Sequence, residues 1–263
     1  MIDLIHGDCF EEMKSIKDGS VDLILTDPPY FSTNLHFDKA PRFDFKELLL
    51  EFKRLLKPTG ILVSFADFNL LAELRSYKLF KTQYEIIWQK NQAQGFLDAK
   101  VKPLRNHEFI GIFTDQLKKS TYNPQKFNYQ SSRFKIGESN KARTLKESSV
   151  YGKAESHGDY IEDGTRYPLS VVFAQNWNGG IALQVRAGQK RHTTQKPLDL
   201  VEYLVKTYSN EGDLILDPFG GSGTTAVAAQ NLNRNCICIE SHDEYIDIAK
   251  ARLNLNQVVD IKD

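Results

Sequence analysis

Cysteine is scarce in this sequence, and its spacing excludes a disulfide-held scaffold. The 263 residues contain three cysteines, Cys9, Cys236 and Cys238, and no Cys-x-x-Cys pair. Cys236 and Cys238 alternate in a predicted strand, where free cysteine packs as a small apolar side chain. The histidines have no partner at metal-ligand spacing, so we expect no metal site. An ordinary core must hold the fold, and 41% hydrophobic residues are enough to build one.

Long apolar runs and a signal-like beginning are also missing. No stretch approaches the roughly 20 apolar residues that span a bilayer. The first residues, MIDLIHGDCFEE, carry acids where a signal peptide has a basic region. We therefore expect a cytoplasmic protein with no membrane partner. The length suits one large domain, or one domain with a sizeable insertion.

The chain has no net charge, but its charges are unevenly distributed. Residues 116–196 hold 14 Lys and Arg against six Asp and Glu, a net charge of +8. The remainder must carry −8. A basic middle between acidic ends is typical of a segment that meets a polyanion. A solvated, lysine-rich loop region would have the same composition.

Strands and helices alternate over both ends of the chain. Predicted strands lie at 2–6, 20–27, 61–65, 83–88, 107–113, 213–219 and 235–240. Predicted helices lie at 10–16, 45–56, 69–79, 195–209, 223–232 and 243–255. The residues Lys-Pro-Thr-Gly at 57–60 are expected to end the second helix. This alternation predicts an α/β fold with a Rossmann-like, doubly wound and mostly parallel sheet.

A polar, basic stretch interrupts the alternation. It is too long for an ordinary loop in a compact domain, so it is interpreted as an inserted module. We therefore expect residues 1–114 and 192–263 to form the two halves of one domain, with the module at 115–191.

One predicted strand ends in a glycine-rich turn, LILDPFGGSGTTAVAA (214–229). Ligands of open α/β sheets bind beyond the carboxyl ends of the strands, and glycines let the backbone approach them closely. No lysine follows the glycines, so the turn is not a phosphate-binding P-loop. The next strand ends at Glu240, where a carboxylate can accept hydrogen bonds from both ribose hydroxyls. This pattern favours a nucleoside cofactor without phosphates, although such turns also serve only to pack a helix on a sheet.

Another predicted strand ends in the sequence TDPPY (26–30). The two prolines fix φ and remove two N–H donors. The Asp27 side chain and the Pro28 carbonyl can then form two neighbouring acceptors, which suits an exocyclic amino group. Tyr30 can stack on the ring that carries this amine. A plain proline turn capped by Asp27 is the alternative.

Together, these motifs resemble those of the amino-group DNA methyltransferases, which methylate N6 of adenine or N4 of cytosine. Residues 27–30 look like the family's catalytic motif, and residues 217–225 look like its S-adenosylmethionine loop. The TQKP segment at 194–197 is similar to the segment that closes over the methionine end of the cofactor. Asp8, in HGDC, resembles an aspartate near the cofactor adenine. RNHEFIGIF is similar to the strand that precedes the family's recognition region.

The resemblance implies a specific set of site residues. The implied catalytic residues are Asp27, Pro28, Pro29 and Tyr30. The implied cofactor-binding residues are Asp8, Lys196, Asp217, Phe219, Gly220, Gly221, Ser222, Gly223, Thr224, Thr225 and Glu240. The catalytic motif precedes the basic module and the cofactor loop, as in the permuted β class, where the module recognises the DNA target. The family's cytosine enzymes more often carry serine at position 27, so the aspartate favours adenine.

The implied reaction is methyl transfer from S-adenosylmethionine to N6 of an adenine flipped out of duplex DNA. A cytosine-N4 enzyme, a catalytically silent subunit that binds DNA and cofactor, and an RNA methylase are the alternatives. The resemblance also implies a homodimer and a cognate restriction endonuclease as possible partners.

Overall fold

The computed structural model describes residues 1–32, 42–128, 163–175 and 195–253, together with the backbone of 139–140, 160–161 and 254–257. No helix in these ranges is long and apolar enough to cross a membrane. Most of the predicted basic module lies outside the described residues.

The helices and strands follow the predicted alternation. The helices are α1 (Cys9–Met13), α2 (Phe45–Leu55), α3 (Phe68–Ser76), α4 (Leu198–Tyr208), α5 (Thr224–Asn231) and α6 (Asp243–Gln257). The strands are β1 (Ile2–His6), β2 (Val21–Thr26), β3 (Leu56–Ala66), β4 (Thr82–Gln94), β5 (Arg105–Thr114), β6 (Phe127–Asn128), β7 (Ser139–Asn140), β8 (Tyr160–Ile161), β9 (Thr165–Arg166), β10 (Val171–Phe173), β11 (Leu214–Asp217) and β12 (Asn235–Glu240).

Eight of the described strands form one sheet in the order β1-β12-β11-β2-β3-β5-β4-β10. Neighbouring strands are parallel except around β5, which pairs antiparallel with β3 and β4. The strand β2, VDLILT, is buried along almost its whole length, as expected of a parallel strand covered on both faces. The predicted Rossmann-like, mostly parallel fold is confirmed.

Helices cover both faces of the sheet. Apolar residues of α4 and α5 pack on one face, and those of α1, α2 and α3 pack on the other. Three helices begin at an aspartate whose side chain accepts a backbone N–H of the first turn: Asp8, Asp44 and Asp67. Each aspartate thus satisfies a backbone N–H group that has no partner within its helix.

The strand β3 begins earlier than predicted. Residues 57–60, expected only to end the preceding helix, belong to β3. The pairing register with β2 shifts here, from Val21 opposite Leu56 to Leu23 opposite Ile61. The additional residues lie in this irregularity, where Pro58 does not interrupt a regular ladder.

The chain divides into two compact units, one formed within 1–123 and 170–263, the other within 124–169. The larger unit contains the eight-stranded sheet. In the smaller unit, β6 pairs with β9, and Lys126 Nζ lies 3.2 Å from Asp163 Oδ2. The predicted module boundaries, 115–191, stay a prediction, as do the halves 1–114 and 192–263.

Candidate functional site

Four acidic residues lie at the carboxyl ends of four neighbouring strands. Asp8 follows β1, Glu240 ends β12, Asp217 ends β11 and Asp27 follows β2. All four strands are parallel, so their ends lie at the same edge of the sheet. The structure thus brings together predicted site residues that are up to 232 positions apart in the sequence. This edge is where α/β sheets bind ligands.

Neighbouring protein atoms leave no room for side chains at two glycines of the turn after β11. A Cβ atom on Gly220 would lie 2.3 Å from Cys238 Sγ and 3.2 Å from the Ile239 carbonyl oxygen. Gly223, with φ of +74°, precedes α5, and its Cβ would lie 2.8 Å from Ala249 Cβ. The glycines therefore allow the turn to pack against β12 and α6, in addition to any close approach to a ligand.

A buried arginine, which the sequence analysis missed, supports this turn from below. Arg252 of α6 is 2% exposed, and its Nη1 donates to Ser222 O, Ser222 Oγ and Thr224 Oγ1 at 2.7–2.9 Å. Burial lowers the pKa of Arg252 to about 10. Ser222 and Thr224 were predicted to contact the cofactor, but in the structure their hydroxyl groups accept hydrogen bonds from this guanidinium. The only signal for Arg252 in the sequence is a charged residue among the apolar positions of the last helix.

Glu240 holds the other side of the turn. Its Oε2 accepts the Gly221 amide at 2.7 Å, and its Oε1 accepts the His242 amide at 2.7 Å. Each carboxylate oxygen has a further lone pair, so Glu240 can still accept hydrogen bonds from two hydroxyls. Asp8 lies one strand further on, and its Oδ1 accepts the amides of Phe10 and Glu11 as the cap of α1. The predicted ribose and adenine ends of the cofactor site are therefore adjacent.

Asp217 is buried at the centre of the edge, 4% exposed. Burial raises its pKa to about 7, although hydrogen bonds from Thr225 and from the Phe219 amide oppose the shift. The Phe219 ring stacks on Phe43 at 5.6 Å, with 14° between the ring planes. Phe43 in turn contacts Phe31, which follows the predicted catalytic motif. An aromatic contact therefore joins the glycine turn to that motif.

Both oxygens of Asp27 are engaged. The Tyr30 hydroxyl donates to Oδ1 at 2.8 Å, and the Lys196 ammonium forms a short hydrogen bond with Oδ2. Pro28 is buried and Pro29 is half-buried. Lys196 was predicted to contact the cofactor, and the structure places its ammonium on Asp27. Burial raises the pKa of Asp27, Lys196 opposes that shift and Glu108 adds to it.

Two further charged residues, both missed by the sequence analysis, extend the ion pair. Glu108 Oε2 lies 4.0 Å from Lys196 Nζ, and Glu108 Oε1 lies 3.3 Å from Lys90 Nζ. Lys90 and Glu108 are each 8% exposed. The four groups alternate in sign, from Lys90 through Glu108 and Lys196 to Asp27. We call them the charge chain.

The alternation of buried and exposed residues along β4 and β5 indicates the Lys90–Glu108 pair. Glu108 continues the inward positions of β5 that Ile110 and Ile112 occupy, and Lys90 continues those of Ile86 and Trp88 on β4. A charged residue in the register of a buried face is uncommon unless it is paired. The same pattern could have identified both residues from the sequence.

Two members of the charge chain, Lys196 and Glu108, stay charged despite burial, whereas burial raises the pKa of Asp27 and lowers that of Lys90. Burial alone would lower the pKa of Lys196, but the carboxylates of Asp27 and Glu108 raise it. Burial alone would raise the pKa of Glu108, but Lys196 and Lys90 lower it. The edge of the sheet thus presents a partly buried carboxylate, Asp27, beside a glycine turn at a helix N-terminus. Among the described residues, no cluster of three metal-ligating side chains accompanies it.

Comparison with known protein families identifies the chain. Residues 21–251 match a family described as DNA methylase, with acceptors at N6 or N4. The chain belongs to the N6/N4 DNA methylase family. This match covers the charge chain, the glycine turn and the segment between them.

Two curated relatives of this methylase are also named as methyltransferases. Type II methyltransferase M.HpaI of Haemophilus parainfluenzae is 32% identical over 271 residues, which cover 95% of this chain and 74% of that protein. Type II methyltransferase M.HinfI of Haemophilus influenzae is 30% identical over 275 residues, which cover 95% of this chain and 67% of that protein.

Solved structures share the fold of the methylase. The M1.HpyAVI–SAM complex is 26% identical, with a TM-score of 0.59, and the match covers 96% of this chain and all of that one. The cytosine-N4-specific PvuII DNA methyltransferase is 18% identical, with a TM-score of 0.63, over 95% of this chain and 86% of that one. At that identity the PvuII enzyme supports the fold alone.

Proposed function

We propose that this methylase transfers a methyl group from S-adenosylmethionine to N6 of an adenine that is flipped out of duplex DNA at a specific sequence. The observation that carries the proposal is the position of Asp27, at the end of β2 beside the glycine turn that ends β11. Family membership supports DNA as the substrate. The solved M1.HpyAVI–SAM complex, a relative of this chain, supports S-adenosylmethionine as the cofactor.

The residues at the sheet edge fit such a cofactor. Glu240 has a free lone pair on each oxygen for the ribose hydroxyls, and Asp8 lies one strand away, on the side proposed for adenine. The turn from Gly220 to Gly223 leads into the N-terminus of α5, whose free N–H groups suit polar groups of the ligand. Asp217 and Phe219, with Thr225, complete the proposed cofactor site. When bound, the cofactor supplies a methyl group on a positively charged sulfur, which is already electrophilic.

The proposed role of Asp27 is to accept a hydrogen bond from the amino group of the target base. The lone pair of this nitrogen is delocalised into the ring, and hydrogen bonds to Asp27 and to the Pro28 carbonyl favour a pyramidal nitrogen. The interaction is strongest in the transition state, where it accelerates transfer. The Tyr30 hydroxyl holds Asp27 at 2.8 Å, which leaves the ring positioned beside the acceptor. Pro28 and Pro29 stiffen the segment that carries both.

Asp27 also supports adenine over cytosine as the target, since serine is more usual at this position in the cytosine enzymes that the motif resembles. The cytosine-N4 reaction is the second candidate, because the family includes both acceptors. A silent binding subunit is disfavoured by the intact Asp27 and the intact glycine turn.

The deciding experiment is incubation of the protein with unmethylated DNA and methyl-labelled S-adenosylmethionine, followed by digestion to nucleosides. We expect label in N6-methyl-2′-deoxyadenosine for the wild type and a loss of label for Asp27→Ala. Asp3→Asn, a change near the amino end of β1, is the matched control. Label in N4-methyl-2′-deoxycytidine would keep the mechanism and reject the adenine assignment. No label on any DNA, with cofactor binding intact, would reject the proposed reaction.

We also propose two partners for the methylase, a cognate restriction endonuclease and a second copy of the chain. The relatives M.HpaI and M.HinfI are named type II methyltransferases, which supports a restriction–modification system with a cognate endonuclease. A homodimer is expected from the resemblance to the β class. Light scattering of the purified protein, with and without DNA, tests that expectation.

A further inference from the structure

Lys196 occupies the carboxylate that the proposed reaction needs. Its ammonium forms a charge-assisted hydrogen bond with Asp27 Oδ2, while the Tyr30 hydroxyl takes Oδ1. A neutral amino group is a weaker donor than an ammonium. Oδ2 has a second lone pair, but the bound ammonium weakens it as an acceptor, so Asp27 accepts the amine of a base best after Lys196 has moved away.

Glu108 provides a second carboxylate for the same ammonium. Its Oε2 is fully buried, has no hydrogen-bond partner in the described part of the chain and lies 4.0 Å from Lys196 Nζ. Its other oxygen faces Lys90, whose ammonium lies 4.6 Å from the Trp88 ring centroid. Burying an acceptor without a donor is unfavourable. Glu108 Oε2 is therefore suited to accept a hydrogen bond from a cation.

The movement between the two carboxylates is small. A shift of about 1 Å would bring Lys196 Nζ from 4.0 Å to hydrogen-bonding distance of Glu108 Oε2. The flexible lysine stem allows such a shift. The ring of Phe65, with its centroid 4.9 Å from Nζ, and the ring of Tyr30, at 5.8 Å, present faces that attract a cation. The charge chain keeps the same total charge whichever carboxylate Lys196 contacts.

We propose that Glu108 is a positioning residue that receives the Lys196 ammonium when the amino group of the target base binds Asp27. Lys90 fixes Glu108 in place for this exchange. The inference rests on the proposed function, because it assigns Asp27 as the acceptor of the amine. Lys196 then alternates between the carboxylates of Asp27 and Glu108. Asp27 is released while the buried ammonium keeps a partner of opposite charge.

The test is Glu108→Gln, which keeps the shape and removes the charge that would receive Lys196. We expect the single-turnover rate of methyl transfer at saturating DNA and cofactor to fall by roughly 10- to 100-fold. Cofactor affinity and the KM for DNA should change by less than about threefold, since the proposed residues that contact the ligands are unchanged. Glu85→Gln, at a half-buried position of β4 paired with Arg75, is the matched control and should have the wild-type rate.

Glu108→Asp separates positioning from a merely structural role. It retains the charge on a shorter stem, so it should recover part of the rate that Glu108→Gln loses. Lys90→Met should lower the rate less than Glu108→Gln, because the receiving carboxylate remains. A Glu108→Gln protein that methylates DNA at the wild-type rate would overturn the inference and leave the proposed function intact. Equal losses for Glu108→Asp and Glu108→Gln would also overturn it. A wild-type protein that methylates no DNA would overturn the proposed function, and this inference with it.

Discussion

Two aspartates at the ends of adjacent strands are held in opposite ways. Asp217 ends β11, is almost fully buried and is bonded by Thr225 and by a backbone amide of its own turn. Asp27 follows β2, has a side chain that is 28% exposed and is bonded by the side chains of Tyr30, three residues further on, and of Lys196. Lys196, its strongest partner, is 169 positions away.

The difference separates a rigid side of the site from an adjustable one. The Asp217 side is built from glycines without room for a Cβ atom and is supported by a buried arginine. The Asp27 side is built from charged side chains with rotatable stems. A rigid frame suits a cofactor that returns in each cycle in the same orientation, whereas exchangeable ion pairs suit a base that must enter and leave. Substitutions on each side test this division.

The largest expected effect is that of Asp27→Asn on activity. Asparagine retains the shape of the side chain but loses the charge that pairs with Lys196, and it accepts hydrogen bonds more weakly. We expect the rate of methyl transfer to fall by roughly 10²- to 10³-fold, while cofactor affinity stays close to that of the wild type. Single-turnover kinetics and calorimetric titration of the cofactor measure the two effects. Equal losses of rate and of cofactor affinity would contradict the division.

Gly220→Ala tests the rigid side. The added Cβ would overlap Cys238 Sγ, so the turn must shift, and we expect a loss of roughly 1–3 kcal/mol in the free energy of unfolding. Cofactor affinity should fall with it. The double variant Gly220→Ala/Cys238→Ala removes the nearer contact and should recover part of both losses. Gly220 does not have a positive φ, so the loss would come from packing and not from backbone strain. Chemical denaturation is the measurement, and a double variant that is no more stable than Gly220→Ala would reject the packing argument.

Arg252→Met removes the support of the glycine turn. Three oxygen acceptors of Ser222 and Thr224 would lose a buried donor, so we expect a loss of roughly 1–3 kcal/mol in stability and weaker cofactor binding. Lys250→Met, at an exposed position of the same helix, is the control. Unchanged stability in Arg252→Met would show that the turn holds its shape without the arginine.

Asp217 should also make the stability of the protein depend on pH. Its pKa is raised from 3.8 to about 7, so the folded protein binds this proton more tightly than the unfolded chain does. The stability due to the neutral form is complete below about pH 4, declines as the pH rises to about 7 and changes no further above that. Asp217→Asn removes the ionisation.

The Tm of Asp217→Asn should therefore exceed that of the wild type at pH 8, and this advantage should disappear below about pH 4. Thermal unfolding at several pH values measures it. An advantage that is the same at every pH would mean that packing, rather than ionisation, distinguishes the two proteins.

Much of the fold could be predicted from the sequence, because its signals are local. Apolar runs marked all six described helices and seven of the eight strands of the large sheet, although the structure moves several of their ends. The misplaced start of β3 arose because Pro58 and Gly60 indicate a turn, whereas the register shift beside β2 accommodates them within a strand. The motifs at the two strand ends were likewise recognisable from contiguous residues.

The sequence by itself determined the alternation of strands and helices, the glycine turn, and an acid followed by two prolines and a tyrosine. Each of these depends on neighbours within a few positions of the chain. Only the tertiary structure decided that β11 lies beside β2, that Arg252 supports Ser222, and that Lys196 lies on Asp27 with Glu108 behind it. Those contacts join distant residues. Their energies depend on burial and on distances of a few ångströms, which exist only once the sheet has assembled.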